Sequence, residues 1–323
     1  MPVLSRRAML AAAPALALPT LVRAQGAWPT RSIRLVVPFS AGGAADSSAR
    51  VLTPRMGETL GQVFAVENRT GASGSLGGLE VARATDGHTF LWDASSHIVN
   101  PTLLRNLPFD YATAFTPISL VVLFPSAVAV KADFPARTLA EFVAAAKARP
   151  GAITVGTQGN ATAGHLGLLA FAKVAGIEVI HVPYRGGAAA AQDLASGAID
   201  AVFTTLVSAG PVVDSGRARF LAVGTTERVE SRPQVPTIAE SGYAGFESNE
   251  WAGLFGPAAT PPAVVSRMYD ALAEAMAVPA NRQRLIQIGC VPVGSRPADF
   301  ARFVAEGRGA MATLVREANV RAD

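Results

Sequence analysis

The stretch that decides the fold reads Ile33-Arg34-Leu35-Val36-Val37-Pro38-Phe39-Ser40-Ala41-Gly42-Gly43-Ala44-Ala45-Asp46. Residues 33–37 are a short, largely apolar run, which is typical of a strand buried in a parallel sheet. Gly42 and Gly43 permit a tight loop, and a helix is predicted from Ala44 onward. Because the free N–H groups of a helix start favour an anion, the stretch predicts a carboxylate or phosphate seat.

A Gly-Gly turn between a strand and a helix is a weak signal by itself, and a plain α/β turn that binds nothing stays open at this point. The stretch has no Gly-Lys-Ser/Thr ending, so it is not a phosphate-binding P-loop. It also lacks the Gly-x-Gly-x-x-Gly spacing of a dinucleotide site.

The composition predicts a large globular protein. Of 323 residues, 50% are hydrophobic and 16% are charged, which supports a sizeable core and excludes a disordered chain. At this length two domains are expected. The formal net charge is +4, but Arg6, Arg7 and Arg23 lie in the first 24 residues, which contain no acid, so the remainder carries +1. This near-neutral remainder gives no support for nucleic-acid binding.

The first 24 residues have the features of an export signal. Ser5-Arg6-Arg7 precedes an Ala/Leu run, and Val22-Arg23-Ala24 fits a small-residue cleavage site. The paired arginines resemble a twin-arginine signal. A membrane anchor is disfavoured, because the apolar part is shorter than the roughly 20 residues that span a bilayer and contains two prolines. We therefore expect cleavage near Ala24 and a periplasmic mature chain.

Signatures of catalysis and metal binding are absent from the sequence. His88, His97, His165 and His181 have no metal-ligand spacing, and no Gly-x-Ser-x-Gly nucleophile elbow occurs. Cys290 is the single cysteine, which excludes an intramolecular disulfide, and its apolar neighbours predict a buried small side chain. We expect no enzyme activity, no metal and no cofactor.

Two α/β units follow one another along the chain. In the first, strands are predicted at 33–37, 63–66 and 89–92, and the loops after them, including the polar loop 93–97, leave the carboxyl ends of the strands. In the second, strands are predicted at 126–130, 153–155, 178–183, 199–203 and 220–223, with helices at 139–148, 166–174 and 188–195. Ligands of open α/β sheets bind at the carboxyl ends of such strands.

The part of the chain after the second unit contains many helix and strand breakers. Prolines and glycines from 233 to 257 predict a long irregular stretch. Helices are predicted at 261–277 and 298–318. Since these helices cannot form a domain alone, we expect them to pack back on the first sheet.

A set of spaced motifs resembles one known family, the Bug family of solute-binding proteins of tripartite tricarboxylate transporters. The motifs are Val36–Asp46, Glu67-Asn68-Arg69, Gly71–Gly74, Asp86–Thr89, His181–Gly186, Asp193-Leu194 with Gly197, Leu221–Val223, Val235-Pro236-Thr237 with Glu240-Ser241-Gly242, and Trp251. They cover nearly the whole mature chain in one order. The sequence departs from the family pattern at Thr70, Ser73 and His88.

This resemblance implies an α/β fold of the type II periplasmic binding protein class. Such a fold has two lobes joined by crossing hinge strands, with the ligand in the cleft between them, like a Venus flytrap. The implied division is a signal peptide at 1–24, a discontinuous first lobe at 25–125 and 226–323, and a second lobe at 126–225. It agrees with the two α/β units and with the return of the C-terminal helices.

The resemblance also implies the ligand-binding positions. The first-lobe loop supplies Phe39, Ser40, Ala41, Gly42 and Gly43. The second-lobe loop supplies Thr157, Gln158, Gly159, Asn160, Thr162 and His165. Weaker candidates at neighbouring strand ends are Ser73, Ser95, Ser96, Asp200 and Thr204. The implied partners are a small organic acid and the membrane subunits of the transporter, the receptor itself being a monomer.

Several alternatives stay open on the sequence alone. The same fold would serve a sensor that works with a two-component system, and an exported enzyme could use the same cleft. Asp46 and Arg50 are read as an i,i+4 ion pair at a helix start rather than as catalytic groups. Arg185 is either a residue of the cleft rim or a solvated loop charge, and Trp251 either lines the hinge or packs in the core.

Overall fold

The structure is a computed structural model, and it describes residues 28–104, 106–160 and 162–317, with side chains through residue 310. The expected signal peptide and its cleavage site therefore lie outside the described residues. The strands are β1 Ile33–Val37, β2 Phe64–Asn68, β3 Thr89–Ala94, β4 Phe115–Lys131, β5 Thr154–Thr157, β6 Ile180–Pro183, β7 Ala201–Thr205, β8 Ala218–Val223, β9 Asn249–Pro257 and β10 Val291–Pro292. The helices are α1 Ala44–Leu60, α2 Ser75–Ala82, α3 Ser96–Leu103, α4 Leu139–Ala148, α5 Ala163–Ala175, α6 Gly187–Ser196, α7 Leu206–Asp214, α8 Pro262–Ala277, α9 Pro279–Gln287 and α10 Pro297–Glu317.

The strands form one mixed sheet with the order β2-β1-β3-β9-β4-β7-β5-β6, and β8 and β10 pair with β4. The pairs β1–β2 and β1–β3 are parallel, and so are β5–β6 and β5–β7. The antiparallel strands β4 and β9 separate these two parallel units. This is the two-unit α/β architecture that the sequence predicted.

Strand β4 belongs to both halves of the sheet. Its residues 115–125 pair with β9, and its residues 126–131 pair with β7 and β8. The sequence analysis placed only a strand at 126–130 and assigned no strand to residues 115–125. The two are one continuous 17-residue strand. β4 and β9 are thus the crossing strands that the fold class requires.

The expectation of an irregular stretch up to residue 257 is wrong for its last nine residues, which form β9. Two glycines lie inside this strand, Gly253 and Gly256, and each has a packing reason. A Cβ on Gly253 would overlap the Phe300 ring, and one on Gly256 would overlap the Thr260 side chain. Glycine is used here because other elements pack closely against the strand, and the strand continues through it.

Separate hydrophobic cores lie on the two halves. Leu52 of α1, Trp92 of β3 and Met268 of α8 belong to one, whereas Phe142 of α4, Phe171 of α5 and Phe203 of β7 belong to another. A further cluster packs Phe300 of α10 on the crossing strand at Trp251. The C-terminal helices therefore return to the first half, as expected. Within the described residues, no helix is long and apolar enough to cross a membrane.

Candidate functional site

The loop after β1 is held in place by a buried acid. Asp46, 2% exposed in the first turn of α1, accepts hydrogen bonds from the Gly42 N–H at 2.9 Å, from Arg50 Nε at 2.9 Å and from Asn68 Nδ2 at 2.9 Å. Burial opposes its ionisation, but the hydrogen bonds from Arg50, Gly42 and Asn68 outweigh burial, so the pKa of Asp46 is lowered. The predicted Asp46–Arg50 pair is present, and its carboxylate holds the loop after β1 in place through the Gly42 N–H.

This arrangement changes which N–H groups of the loop can meet an anion. The Gly42 N–H is used by Asp46, and the Gly43 N–H donates to the Ser40 carbonyl at 3.1 Å. Gly43 is the N-cap of α1 and provides no side-chain cap. Among the described residues, the N–H groups of Ala44 and Ala45 have no acceptor. The anion seat of the first loop therefore consists of the first turn of α1 rather than of the two glycine N–H groups.

Loops from both halves of the sheet meet next to this seat. We call their described residues, 39–43, 71–75, 94–97, 157–160 with 162, and 183–187, the cleft loops. Ser40 Oγ donates to the Arg185 carbonyl at 3.2 Å, which joins the loop after β1 to the loop after β6. The Gly186 N–H donates to the Gln158 carbonyl at 3.0 Å. The cleft loops are therefore a connected set.

The first-half side of this set contains Ser73, Ser95 and Ser96. Gly74 packs between Pro38, Phe39 and Ser96. A Cβ added to Gly74 would lie 3.4–3.5 Å from an atom of each of these side chains. Ser73 takes a left-handed conformation with φ of 52°. Ser96 Oγ donates to Asp93 at 3.0 Å, and the buried Ser95 Oγ accepts from the Trp251 N–H at 3.3 Å. Ser95 thus ties the crossing strand to the cleft loops.

The second-half side is the loop between β5 and α5. Thr162 caps α5 by accepting the His165 N–H at 3.3 Å, and its hydroxyl donates to the Gly159 carbonyl at 2.9 Å. Thr157 Oγ1 lies 2.7 Å from His181 Nε2. The rings of His165 and His181 stack with centroids 3.8 Å apart. Burial, followed by the charge of His181, lowers the pKa of His165 to about 4, and burial also lowers the pKa of His181.

Buried polar atoms without a partner cluster at these helix starts. Among the described residues, the buried unpartnered atoms at this place are both amide atoms of Gln158, Thr204 Oγ1 and Glu250 Oε1, and further ones lie elsewhere on Arg55, His97, Asn249 and Arg308. A Cβ on Gly164 would overlap the Gln158 amide, and one on Gly187 would overlap Thr204 Oγ1 and Ser208 Oγ. Such atoms have hydrogen-bonding capacity that a polar ligand can use.

The sequence analysis placed Thr204 and Gln158 among the candidates but missed Ser208, Gly187 and Glu250. Glu250 lay in the stretch read as irregular. Ser208 lies in α7, a helix that the analysis did not assign.

Asp200 does not belong with the other candidates. It precedes β7, and its carboxylate pairs with Lys131 Nζ at 2.9 Å and accepts the Thr154 N–H at 3.1 Å. Thr154 begins β5, whereas Thr157 ends the same strand next to the cleft loops. Asp200 therefore lies at the opposite edge of the sheet, where it joins strand ends. We remove it from the candidate set.

Two cavities lie near these loops, but neither is lined by residues of the loops 71–75, 94–97, 157–160 or 183–187. One of about 290 Å³ opens beside the first loop and is lined by Gly42 and Ser47 from one half and by Leu206 and Gly210 of α7 from the other. A larger one of about 640 Å³ lies outside the cleft loops, next to Arg219 and Arg232. Those two arginines are already engaged, with backbone carbonyls and with Asp214. Because these two arginines are engaged, we place the ligand at the cleft loops, where buried polar atoms lack a partner.

Within the described residues, no group of three or more His, Cys, Asp or Glu side chains could hold a metal ion. His97 is buried and lies 3.0 Å from Asp93, and His88 contacts the backbone of Asp86. Cys290 is buried, and burial raises the pKa of its thiol to about 12. These side chains have structural roles.

The family model of the tripartite tricarboxylate transporter family receptor matches residues 48–320. A protein from the tcbD-tcbE intergenic region of Pseudomonas sp. (strain P51) is 37% identical over 303 residues, covering 92% of this chain and 90% of that protein. This chain belongs to that receptor family. The family consists of solute-binding receptors rather than enzymes, and the resemblance found in the sequence motifs is confirmed.

Solved structures agree with the family and with the fold class. The periplasmic binding protein BugD has a TM-score of 0.85 and 32% identity, covering 92% of this chain and 100% of that one. Rpa4515 of R. palustris with adipate has a TM-score of 0.87 and 32% identity, covering 91% and 99%. MatC from Rhodopseudomonas palustris with bound malate has a TM-score of 0.82 and 30% identity, covering 89% and 100%. The two-lobed periplasmic binding protein fold is therefore confirmed for this receptor.

Proposed function

We propose that this receptor binds a small carboxylated metabolite between its lobes and delivers it to the membrane subunits of a tripartite tricarboxylate transporter. The observation that carries the proposal is that two loops without cationic side chains lead into helix starts next to each other. Residues 39–43 and 157–165 contain no lysine or arginine, yet they lead into α1 and α5. α6 begins at the neighbouring loop with Gly186 as its N-cap. Helix N-termini bind anions through N–H groups and the helix dipole.

The ligand-contacting set in this proposal keeps the positions that the family resemblance implied, without Asp200. One end of the ligand meets the first turn of α1 and the loop Phe39, Ser40, Ala41, Gly42 and Gly43, with Ser73, Ser95 and Ser96 beside it. The other end meets Thr157, Gln158, Gly159, Asn160, Thr162 and His165, with Thr204 below the start of α6. Related proteins with adipate and with malate support a dicarboxylate as the first class of ligand to test.

The remaining parts of the proposal concern organisation and location. We assign residues 25–125 and 226–323 to the first lobe and 126–225 to the second, with β4 and β9 as the hinge. The mature receptor acts as a monomer in the periplasm. Ligand that touches both lobes binds the closed state better, and this difference shifts the population towards closure.

A thermal-shift screen tests the binding part of the proposal. The purified receptor is heated with dicarboxylates, tricarboxylates, amino acids, nicotinate-like acids and aromatic acids, because a ligand that binds only the native state raises the melting temperature. We expect at least one small carboxylate to do so and to be recovered unchanged by chromatography. Conversion of the acid would contradict a receptor. Loss of its uptake on deletion of the transporter's membrane subunits tests the delivery step.

A further inference from the structure

One acidic side chain of the crossing strand points at a helix start of the proposed site. Glu250 lies in β9, and the backbone N–H of Gly164, in the first turn of α5, is directed at its carboxylate. Its Oε1 is buried and has no hydrogen-bond partner. Within the described residues, Glu250 makes no ion pair. The helix start expected to hold a ligand carboxylate therefore already faces a carboxylate of the protein.

The surroundings of Glu250 are polar but contain few charges. The Gln158 amide packs on the same Gly164, so closely that a Cβ there would overlap it. Among the described residues, the ionisable groups beside this helix start are His165 of α5 and, stacked on it, His181 of β6, whereas Lys173 lies in the last turn of α5. Further along β9, beyond Trp251, the Asp93–His97 pair lies on β3 and α3. Glu247, which precedes β9, is exposed.

Burial sets the protonation behaviour of this group. It raises the pKa of Glu250 to about 7, against the opposing effect of the Gly164 N–H. His165 and His181 have lowered pKa values and are neutral in this range. Both protonation states of Glu250 are therefore populated near neutral pH in the free receptor.

We propose that Glu250 takes up a proton when a ligand carboxylate binds at the start of α5. This inference rests on the proposed carboxylate-binding function. Two ionised carboxylates at one helix start repel each other, whereas a protonated Glu250 is neutral and offers an O–H donor. The ligand carboxylate then takes the N–H groups of α5, and one proton enters the site with it. Glu250 thereby makes the affinity for acids dependent on pH.

The direction of this dependence follows from the linkage of binding to protonation. Binding raises the pKa of Glu250, so affinity is constant below the pKa of the free receptor and falls as the pH rises above it. We expect a loss of about tenfold per pH unit above roughly pH 7. Proton uptake should approach one per ligand at about pH 8.5 and fall below one half at about pH 6.5. Adipate and malate are suitable probes, because ordinary carboxyl groups are ionised throughout this range.

Isothermal titration calorimetry with adipate and malate, in two buffers of different ionisation enthalpy, measures the proton uptake directly. Glu250→Gln keeps the shape of the side chain but removes its charge, so it should abolish the uptake and bind about 30-fold more tightly than the wild type at pH 8.5. Glu247→Gln is the matched control, since it removes an exposed carboxylate from the same segment. It should keep the wild-type pH profile.

The outcomes separate this inference from the proposed function. Acid binding by the wild type without proton uptake overturns the role of Glu250 and leaves the receptor intact. A pH dependence that persists in Glu250→Gln assigns the proton to another group, such as the two histidines, and also overturns it. If no acid of the screen binds at any pH, both proposals fall. The wild-type measurement decides the matter even if Glu250→Gln does not fold.

Discussion

Replacing Asp46 by alanine tests whether the first loop is held by that carboxylate. The substitution removes the acceptor for the Gly42 N–H, Arg50 Nε and Asn68 Nδ2, all at 2.9 Å. Hydrogen bonds to charged groups contribute about 1.5–3 kcal/mol each, but these donors are partly exposed and regain water in the variant. We therefore expect Asp46→Ala to lower the free energy of unfolding by about 2–4 kcal/mol.

Urea denaturation at several pH values provides the assay. Because the pKa of Asp46 is lowered in the folded receptor, its contribution to stability is present above the unfolded pKa of about 3.9 and is lost as the pH falls through the folded value. The stability difference between wild type and Asp46→Ala should therefore be constant from about pH 8 to pH 5. It should shrink below about pH 4, as far as the wild type stays folded there.

Arg50→Ala is the control for this prediction. The Arg50 side chain is half exposed, so its loss should cost less than about 1 kcal/mol. The reasoning is refuted if Asp46→Ala is as stable as the wild type at pH 7, or if Arg50→Ala costs as much as Asp46→Ala. The first result would mean that the loop is held by its backbone alone. The second would mean that the ion pair with Arg50, rather than the bonds to Gly42 and Asn68, accounts for the effect.

The remaining predictions concern binding and export. Gly43→Val should weaken acid binding at least tenfold in calorimetry, because a Cβ there would lie 3.1 Å from the Ser40 carbonyl oxygen. Arg185→Ala should change the affinity less than about threefold, since the exposed Arg185 contributes only its backbone carbonyl to the contact with Ser40. The reverse order would indicate a side-chain clamp. Ser40→Ala removes the hydrogen bond that joins the two loops and should weaken binding by about 0.5–1.5 kcal/mol. Unchanged affinity would show that this bond plays no part in closure. Mass spectrometry of the periplasmic fraction should find a chain beginning near Gln25, and a full-length cytoplasmic protein would contradict export.

The repeating α/β units were predictable because their signals are local. β1 was predicted at its observed bounds and α1 at its observed start, since an apolar run, a proline and two glycines determine them within fifteen residues. The helix α4 was also predicted at its bounds, where Thr138 accepts the Glu141 N–H and forms the N-cap. Local patterns of this kind do not depend on the rest of the chain.

The crossing strands were not predictable in the same way. β9 contains two glycines, which are required because Phe300 and Thr260 pack closely against them. Phe300 is distant in the sequence, and Thr260 lies beyond the end of the strand. Likewise, α7 contains Gly210 and Pro211, which disfavour a helix, yet its N-cap Thr205 and its buried face maintain it. Tertiary packing determined these elements, and a single sequence does not display tertiary packing.

The candidate site was predicted at the level of loops rather than of atoms. The sequence and the family resemblance named the loops that meet, but not that Asp46 already uses the Gly42 N–H. Asp200 was included among the weaker candidates at neighbouring strand ends. Its ion pair with Lys131, a residue at the end of β4, could not be anticipated from local pattern. Partners that are distant in the sequence decide which polar groups remain available.

The two internal carboxylates make the two ends of the proposed site electrostatically unequal. Asp46 at α1 is paired with Arg50, so the pair is close to neutral and does not repel an incoming anion. Glu250 at α5 has no such partner among the described residues, so it repels an anion until it is protonated. The α1 end should therefore accept a carboxylate across the neutral pH range, whereas the α5 end should accept one only together with a proton.

A monocarboxylate that reaches only α1 should then bind with little pH dependence. Comparing butyrate with adipate in the same calorimetric titrations separates the two ends. Equal pH dependence of the two acids would contradict this division.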